Sequence, residues 1–244
     1  MLTRRPFRSP AATDAALLFS RRERLAVDAN QHSRANPFGM DETCRNCSAL
    51  CETRTQVVHG YGDVGADFLF VGERPSSDAD EVGVPFVAPG VDEGGQGSTS
   101  GGLRRILERL GLCDATSPRS EPALVDVYLT NLTRCRDPDR RPTDEEVRNC
   151  EPYLEAEIRM INPEIIVPVG ERALAEIATE YTRTPAEEID LEESHGERIR
   201  GRGFELVPMI APADQTDAQT QAWVEAFAEL LATDYRQTKG RQGR

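Results

Sequence analysis

The chain has 244 residues, with 29 Lys and Arg against 42 Asp and Glu, for a formal net charge of −13. That length allows one large core, or one core with tails, and no run approaches about 18 apolar residues, which excludes a membrane-spanning helix. Six cysteines in so long a chain do not resemble a secreted disulfide scaffold, and clustered thiols inside a cell more often bind metal.

Residues 1–40 hold 7 Arg against 3 acids and show one possible short helix near Asp14–Val27, so they read as a basic tail or an added helix. Thr3-Arg4-Arg5-Pro6-Phe7 is similar to a twin-arginine export signal, but Ala15-Ala16-Leu17-Leu18-Phe19 runs straight into Arg21, Arg22 and Arg24. The expectation is a cytoplasmic protein. The globular part is expected over 41–234. Four short β-rich runs appear in it: Asp67–Val71, Val125–Thr130, Ile165–Val169 and Glu205–Ile210. Helical patterns lie between them. Leu103, Ile106, Leu107 and Leu110 fall at i, i+3, i+4 and i+7. Thr143 followed by Glu146 is a capping box, Gly170 precedes the helical run Glu171–Ala178, and Trp223, Phe227, Leu230 and Leu231 mark a last helix. Strands alternating with helices predict a parallel sheet covered on both faces. The Gly- and Ser-rich segment from Gly90 to Gly102 reads as a surface loop. Residues 235–244 form a second basic tail, with 4 basic residues and no acid.

Removing the excess of four positive charges at each end leaves −21 on the middle, and Lys239 is the only lysine. An acidic, lysine-poor surface fits a halophilic protein, because carboxylates hold hydration and salt screens their repulsion. A genome that favours Arg codons would give the same lysine poverty. The acidity argues mildly against a nucleic-acid partner, though less so in a salty cytoplasm.

Cys44-Arg-Asn-Cys47 has the two-residue spacing that brings two sulfurs to one metal. Cys135 follows the second strand, Cys150 lies on the helix opened by Thr143, and no second tight pair completes a zinc ribbon. Two close thiols and two distant ones suit an iron–sulfur cubane. Zinc and unliganded core cysteines remain open on spacing alone. Cys51 could join Cys44 and Cys47 in a triad, and Cys113 reads as a small buried apolar residue.

Several motifs in order resemble the iron–sulfur branch, family 4, of the uracil-DNA glycosylase superfamily. They are Cys44-Arg-Asn-Cys47 with Thr53–Gly60; Phe70-Val71-Gly72-Glu73-Arg74-Pro75 with Asp80, Gly83 and Pro85-Phe86-Val87; Leu129–Arg136 with Arg141-Pro142-Thr143, Glu146 and Cys150; and Pro163–Gly170. The resemblance implies a three-layer α/β/α sandwich around a short, mainly parallel four-stranded sheet. It implies a [4Fe–4S] cluster on Cys44, Cys47, Cys135 and Cys150, placed away from the catalytic pocket. It implies a monomeric base-excision repair hydrolase that removes uracil or another deaminated base from DNA, with no membrane partner. Gly72, Phe86, Asn131 and Ala211 would bind the substrate. Phe86 would stack on the base, Asn131 would read it, and Glu73 with Asp80 would handle water and sugar charge. Without the resemblance, Phe86 is a core residue, Asn131 caps a turn, and Asp80 is a solvated charge. The chain departs from the family at three places. Val207-Pro208-Met209-Ile210-Ala211-Pro212 places Ala211 where the family has a histidine that donates to the leaving base. Ser76 stands where a glycine is usual, and the Gly90–Gly102 loop is extended. A protein that binds DNA or nucleotides without excision is the alternative that Ala211 raises.

Overall fold

Apolar runs without polar alternation call for strands buried on both faces. A computed structural model of the chain, describing residue 31 and residues 33–87, 102–118 and 120–236, has such strands at β2 (Phe68–Gly72), β3 (Val127–Asn131) and β4 (Ile165–Pro168). A shorter strand, β6 (Glu205–Leu206), completes the parallel set. The order is β3-β2-β4-β6, and two-residue strands β1 (Tyr61–Gly62) and β5 (Ile199–Arg200) pair antiparallel at the two edges. The sheet therefore has six strands rather than four. The last parallel strand is cut short on paper only: Val207 and Met209 still donate to the carbonyls of Ile166 and Pro168. Pro208 lies between them, where the ladder requires no donor toward β4.

Alternate strand residues face opposite layers. Phe68, Phe70, Val127, Leu129, Ile165 and Val167 pack against α3 (Gly102–Arg109) and α6 (Asp217–Ala232). Leu69, Val71, Tyr128, Ile166 and Leu206 pack against α4 (Asp144–Ile161) and α5 (Glu171–Tyr181). This is the three-layer arrangement expected from the sequence. The capping box at Thr143 is present, with the Glu146 N–H donating to Thr143 Oγ1 and the Thr143 N–H to Glu146 Oε2. Two short helices, α1 (Ser48–Thr53) and α2 (Ser77–Val82), follow the first thiols and β2 respectively. No helix among the described residues is long and apolar enough to cross a membrane.

The folded part reaches beyond residues 41–234. Ala35 bridges Tyr61, the Gly62 N–H donates to the Arg34 carbonyl, and Arg236 pairs with buried Asp67 at 2.5 Å. The helix expected near Asp14–Val27, most of the Gly90–Gly102 loop, and residues 237–244 lie outside the described residues.

Candidate active site

In a parallel α/β sheet, side chains from several strands meet just past the carboxyl ends of those strands. Gly72 ends β2 and Asn131 ends β3, and the two are partners in register. The ladder runs on beyond them, since the Leu132 and Thr133 N–H groups donate to the carbonyls of Gly72 and Glu73. Gly170 follows β4 and Ala211 follows β6. Gly72, Glu73, Phe86, Asn131 and Ala211 thus line one cleft of about 760 Å³ among the described residues.

The floor of the cleft is tight. A Cβ added to Gly72 would lie 2.5 Å from Asn131 Oδ1 and 2.8 Å from Phe86 Cζ. Only a residue without a side chain lets the amide and the ring approach the strand so closely. Phe86 holds a left-handed φ of 59°, a conformation that costs an aromatic residue on the order of 1–3 kcal/mol. Ser76 helps impose it: its hydroxyl accepts from the Ala79 N–H as the cap of α2 and donates to the Val87 carbonyl at 3.0 Å. The departure at Ser76 therefore ties the start of α2 to the loop that carries Phe86. Asn131 is 2 % exposed, and its Nδ2 is buried with no hydrogen-bond partner. A buried donor left unpaired costs about 1–3 kcal/mol, and a ligand carbonyl would recover that.

Glu73 stands at the rim. Both of its carboxylate oxygens are held by Arg141, at 2.8 and 3.1 Å from Nε and 2.7 Å from Nη2. Arg141 lines the cleft with its side chain 64 % exposed, and the pairing holds it more firmly protonated. Arg141 belongs to the Arg141-Pro142-Thr143 motif, which by itself assigns the arginine no role. Only the fold brings a residue 68 positions downstream onto Glu73.

Asp80 is not brought to the cleft, and it is not a solvated charge. It is 4 % exposed, and α2 turns it away from the cleft, where its carboxylate accepts the backbone N–H of Thr55 at 2.8 Å and of Gln56 at 3.5 Å. It fastens α2 to the segment that follows the first thiols. His195 does not line the cleft either. Its Nδ1 accepts the Ile210 N–H and its Nε2 donates to the Gln219 carbonyl, and burial lowers its pKa. It serves as a neutral brace behind the Ala211 turn.

The thiols gather away from the cleft. All six cysteines are free, and Cys44, Cys47 and Cys135 pack around Leu50 and Val57. Cys150 lies close enough for its charge to bear on Cys47 and Cys135, as that of Cys44 does on all three. Burial pushes the Cys135 thiol up to about 11, against the pull of Arg54. Cys51 sits on α1, with its thiol 3.7 Å from the Cys44 carbonyl. Cys113 is buried in the other layer, against α3, as a small apolar residue would be. Among the described residues no three ligating side chains converge on a single ion.

Between cleft and thiols runs a buried ion pair. The Arg134 guanidinium is 2.6 Å from Glu157, which also accepts from Thr130 at 2.7 Å and from Tyr128 and the Gly60 N–H at 3.2 Å each. Burial pushes the Glu157 carboxyl up, and Arg134 pulls the other way. Arg134 also donates to the Asn131 carbonyl. Sequence reasoning missed this pair.

Comparison with known proteins adds a family. The profile of the uracil DNA glycosylase superfamily matches residues 59–232. The chain is similar to the type-4 uracil-DNA glycosylase of Archaeoglobus fulgidus, 35% identical over 165 residues that cover 67% of this chain and 69% of the relative. It is 36% identical to the type-4 enzyme of Thermotoga maritima over 139 residues, covering 56% of this chain and 62% of that one. A type-5 uracil-DNA glycosylase of Pyrobaculum aerophilum is 27% identical over 175 residues, 70% and 72% of the two chains.

Proposed function

The chain belongs to the uracil DNA glycosylase superfamily, and from that membership we infer that it hydrolyses the N-glycosidic bond of uracil in DNA. The observation that carries this reading is Asn131 Nδ2, a buried donor without a partner on the floor of a cleft, beside an aromatic ring. A base inside a duplex cannot reach such a floor, so the nucleotide must be flipped out, at a cost of a few kcal/mol. Phe86 then offers its face to the ring. The Asn131 amide donates to a uracil carbonyl, and cytosine would bring its own amino donor against it.

Bond cleavage puts positive charge on the sugar and negative charge on the departing base. Glu73 answers the first. With both oxygens held by Arg141 it acts as a fixed negative charge at the rim rather than a free base. The second charge meets no imidazole, because residue 211 is alanine. Losing one such donor typically costs about 2.7–4 kcal/mol, a hundred- to a thousandfold in rate. The expected enzyme is slow and still selective.

Cys44, Cys47, Cys135 and Cys150 suit a [4Fe–4S] cluster. Four free thiols share one neighbourhood, drawn from the segment before α1, the end of β3 and α4, as the several corners of a cubane require. When bound, the cluster supplies a cross-link between the segment before α1, the end of β3 and α4. The acidic, lysine-poor composition supports work in concentrated salt.

The test is single-turnover incubation of anaerobically purified protein, in high salt, with a labelled oligonucleotide carrying one uracil, scored for abasic sites. Cleavage that Asn131→Ala abolishes is the expected result. DNA binding with no abasic sites would overturn the reading and leave a binding protein.

A further inference from the structure

An arginine carries five N–H donors in a planar fork, and a carboxylate gripped at two points occupies only one edge of it. Arg141 spends the edge formed by Nε and Nη2 on Glu73. Its outer edge, with both N–H groups of Nη1 and the second of Nη2, has no acceptor among the described residues. The side chain stands at the rim of the cleft and is the most exposed of the ion-paired arginines among the described residues. Its backbone, by contrast, is held from both sides. Arg74 donates to the carbonyls of Asp137 and Arg140, Arg140 holds both oxygens of Glu146 at 2.7 Å, and Thr143 caps α4 two residues on. A fixed base carrying a free, solvent-exposed fork edge suits an anion contact more than a purely structural ion pair.

The charges around the cleft give that contact a direction. Residues 134–141 hold four arginines against two aspartates, in a chain whose net charge is −13. Away from β2 and β3 the charged lining is mainly acidic and exposed: Glu171 after β4, Asp214 after β6, and Asp190 and Glu192 between α5 and β5. Arg172 on that side is committed to Asp144 at 2.6 Å and Glu176 at 2.9 Å. A polyanionic strand is repelled there and attracted to the side of Arg141. We propose that the outer edge of Arg141 binds a phosphodiester of the DNA strand beside the flipped nucleotide, while its inner edge keeps Glu73. One side chain then holds strand and carboxylate in a common frame, and the phosphate accepts two parallel charge-assisted hydrogen bonds from the fork. The inference rests on the excision reading for the identity of the strand, and on the guanidinium geometry for the site.

The experiment uses the full-length protein, purified anaerobically, and an oligonucleotide whose single uridine carries a 2′-fluorine that blocks cleavage, so that binding is read apart from chemistry. Each phosphate flanking the uridine is replaced in turn by an uncharged methylphosphonate. In wild type one replacement should weaken binding about tenfold, and in Arg141→Gln the same replacement should have no further effect. Arg141→Gln should also flatten the plot of log affinity against log salt by about one charge. Arg141→Lys keeps the charge without the fork, so it should keep the salt slope and lose part of the affinity. Methylphosphonate effects that match at every position in wild type and Arg141→Gln would overturn the inference, as would an unchanged salt slope. Loss of excision in Arg141→Gln with affinity intact would also overturn it, because the arginine would then serve Glu73 alone. Binding by wild type without abasic sites from ordinary uracil would instead defeat the excision reading, and the methylphosphonate series would still decide the phosphate contact.

Discussion

Restoring an imidazole at position 211 tests how much of the catalytic apparatus the cleft retains. Ala211 sits on a fixed turn. The Asp214 N–H donates to its carbonyl at 2.8 Å, Gln215 Nε2 holds the Ile210 carbonyl at 2.5 Å, and His195 braces the Ile210 N–H. Gly170 lies beside it in the cleft wall, where an added Cβ would be 3.8 Å from the Ala211 Cβ, an ordinary contact distance. The wall is thus lined by a glycine where a larger residue would crowd a longer side chain, and the cleft of about 760 Å³ leaves room for a ring. A donor aimed at the departing base is worth about 2.7–4 kcal/mol, so Ala211→His should raise the single-turnover rate by one hundred- to one thousandfold at most. Ala211→Leu adds similar bulk without a donor and should give no gain. Ala211→His combined with Glu73→Ala should lose most of what the first change adds. An unchanged rate in Ala211→His, with DNA binding retained and Ala211→Leu equally unaffected, would show that residue 211 does not face the leaving base.

Gly72→Ala would place a methyl group within 2.8 Å of both Asn131 and Phe86, so one of them must move. Excision should fall about a hundredfold, with a loss of stability of about 1–3 kcal/mol by urea unfolding, and wild-type excision would contradict the packing described. Glu157→Gln leaves the Arg134 guanidinium buried beside a neutral amide, and the midpoint of urea unfolding should drop by the equivalent of about 3–5 kcal/mol. Glu146 is held below its ordinary value of 4.5, first by Arg140 and then by the Thr143 cap. Its folded pKa lies below its unfolded one, so its contribution is complete above about pH 4.5 and lost as pH falls through the folded value. Unfolding free energies measured between pH 3 and 6 should show a shallower acid slope in Glu146→Gln than in wild type. Cys135→Ala and Cys150→Ala should lose iron while Cys113→Ala retains it, and iron retained in Cys150→Ala would exclude that residue as a ligand.

The parallel strands were legible because a strand buried on both faces is apolar at every position, and Phe68–Val71 and Ile165–Val169 have no other use for such runs. The edge strands were not. Tyr61–Gly62 and Ile199–Arg200 are two residues long, too short for any period, and they exist only because β3 and β6 offer open edges. Asn131 and Phe86 were found by motif, and their sharing of a cleft follows from strand ends lying on one side of a parallel sheet. Asp80 misled because a charge eight residues after a strand end can face the cleft or the layer behind it, and the direction of α2 decides. The Arg141–Glu73 and Arg134–Glu157 pairs join residues 68 and 23 positions apart, a separation at which no local pattern signals a partner. Composition pointed away from nucleic acid, yet the family membership outweighs it. Net charge describes the whole surface, whereas a glycosylase needs only one cleft.

The thiols and the cleft are two ends of one strand continuation, and this decides how they influence each other. From Asn131 to Cys135 the chain passes from the floor of the cleft to a thiol of the proposed cluster site in four residues. Arg134 sits between and works in both directions. Its guanidinium holds the Asn131 carbonyl and Glu157, and Glu157 lies on the helix that also carries Cys150. A cluster held by Cys135 and Cys150, as proposed above, would therefore tie both sides of the frame that sets the amide of Asn131. Thiol variants that lose iron should lower excision even though no cysteine lines the cleft, and the loss should resemble that of Gly72→Ala, with misplacement of Asn131 as the common cause. A misplacement of 1 Å is enough for about a hundredfold. If iron-free protein that remains folded excised uracil at the wild-type rate, Arg134 would hold Asn131 without help from the thiols. The buried pair with Glu157 would then be the whole of the frame.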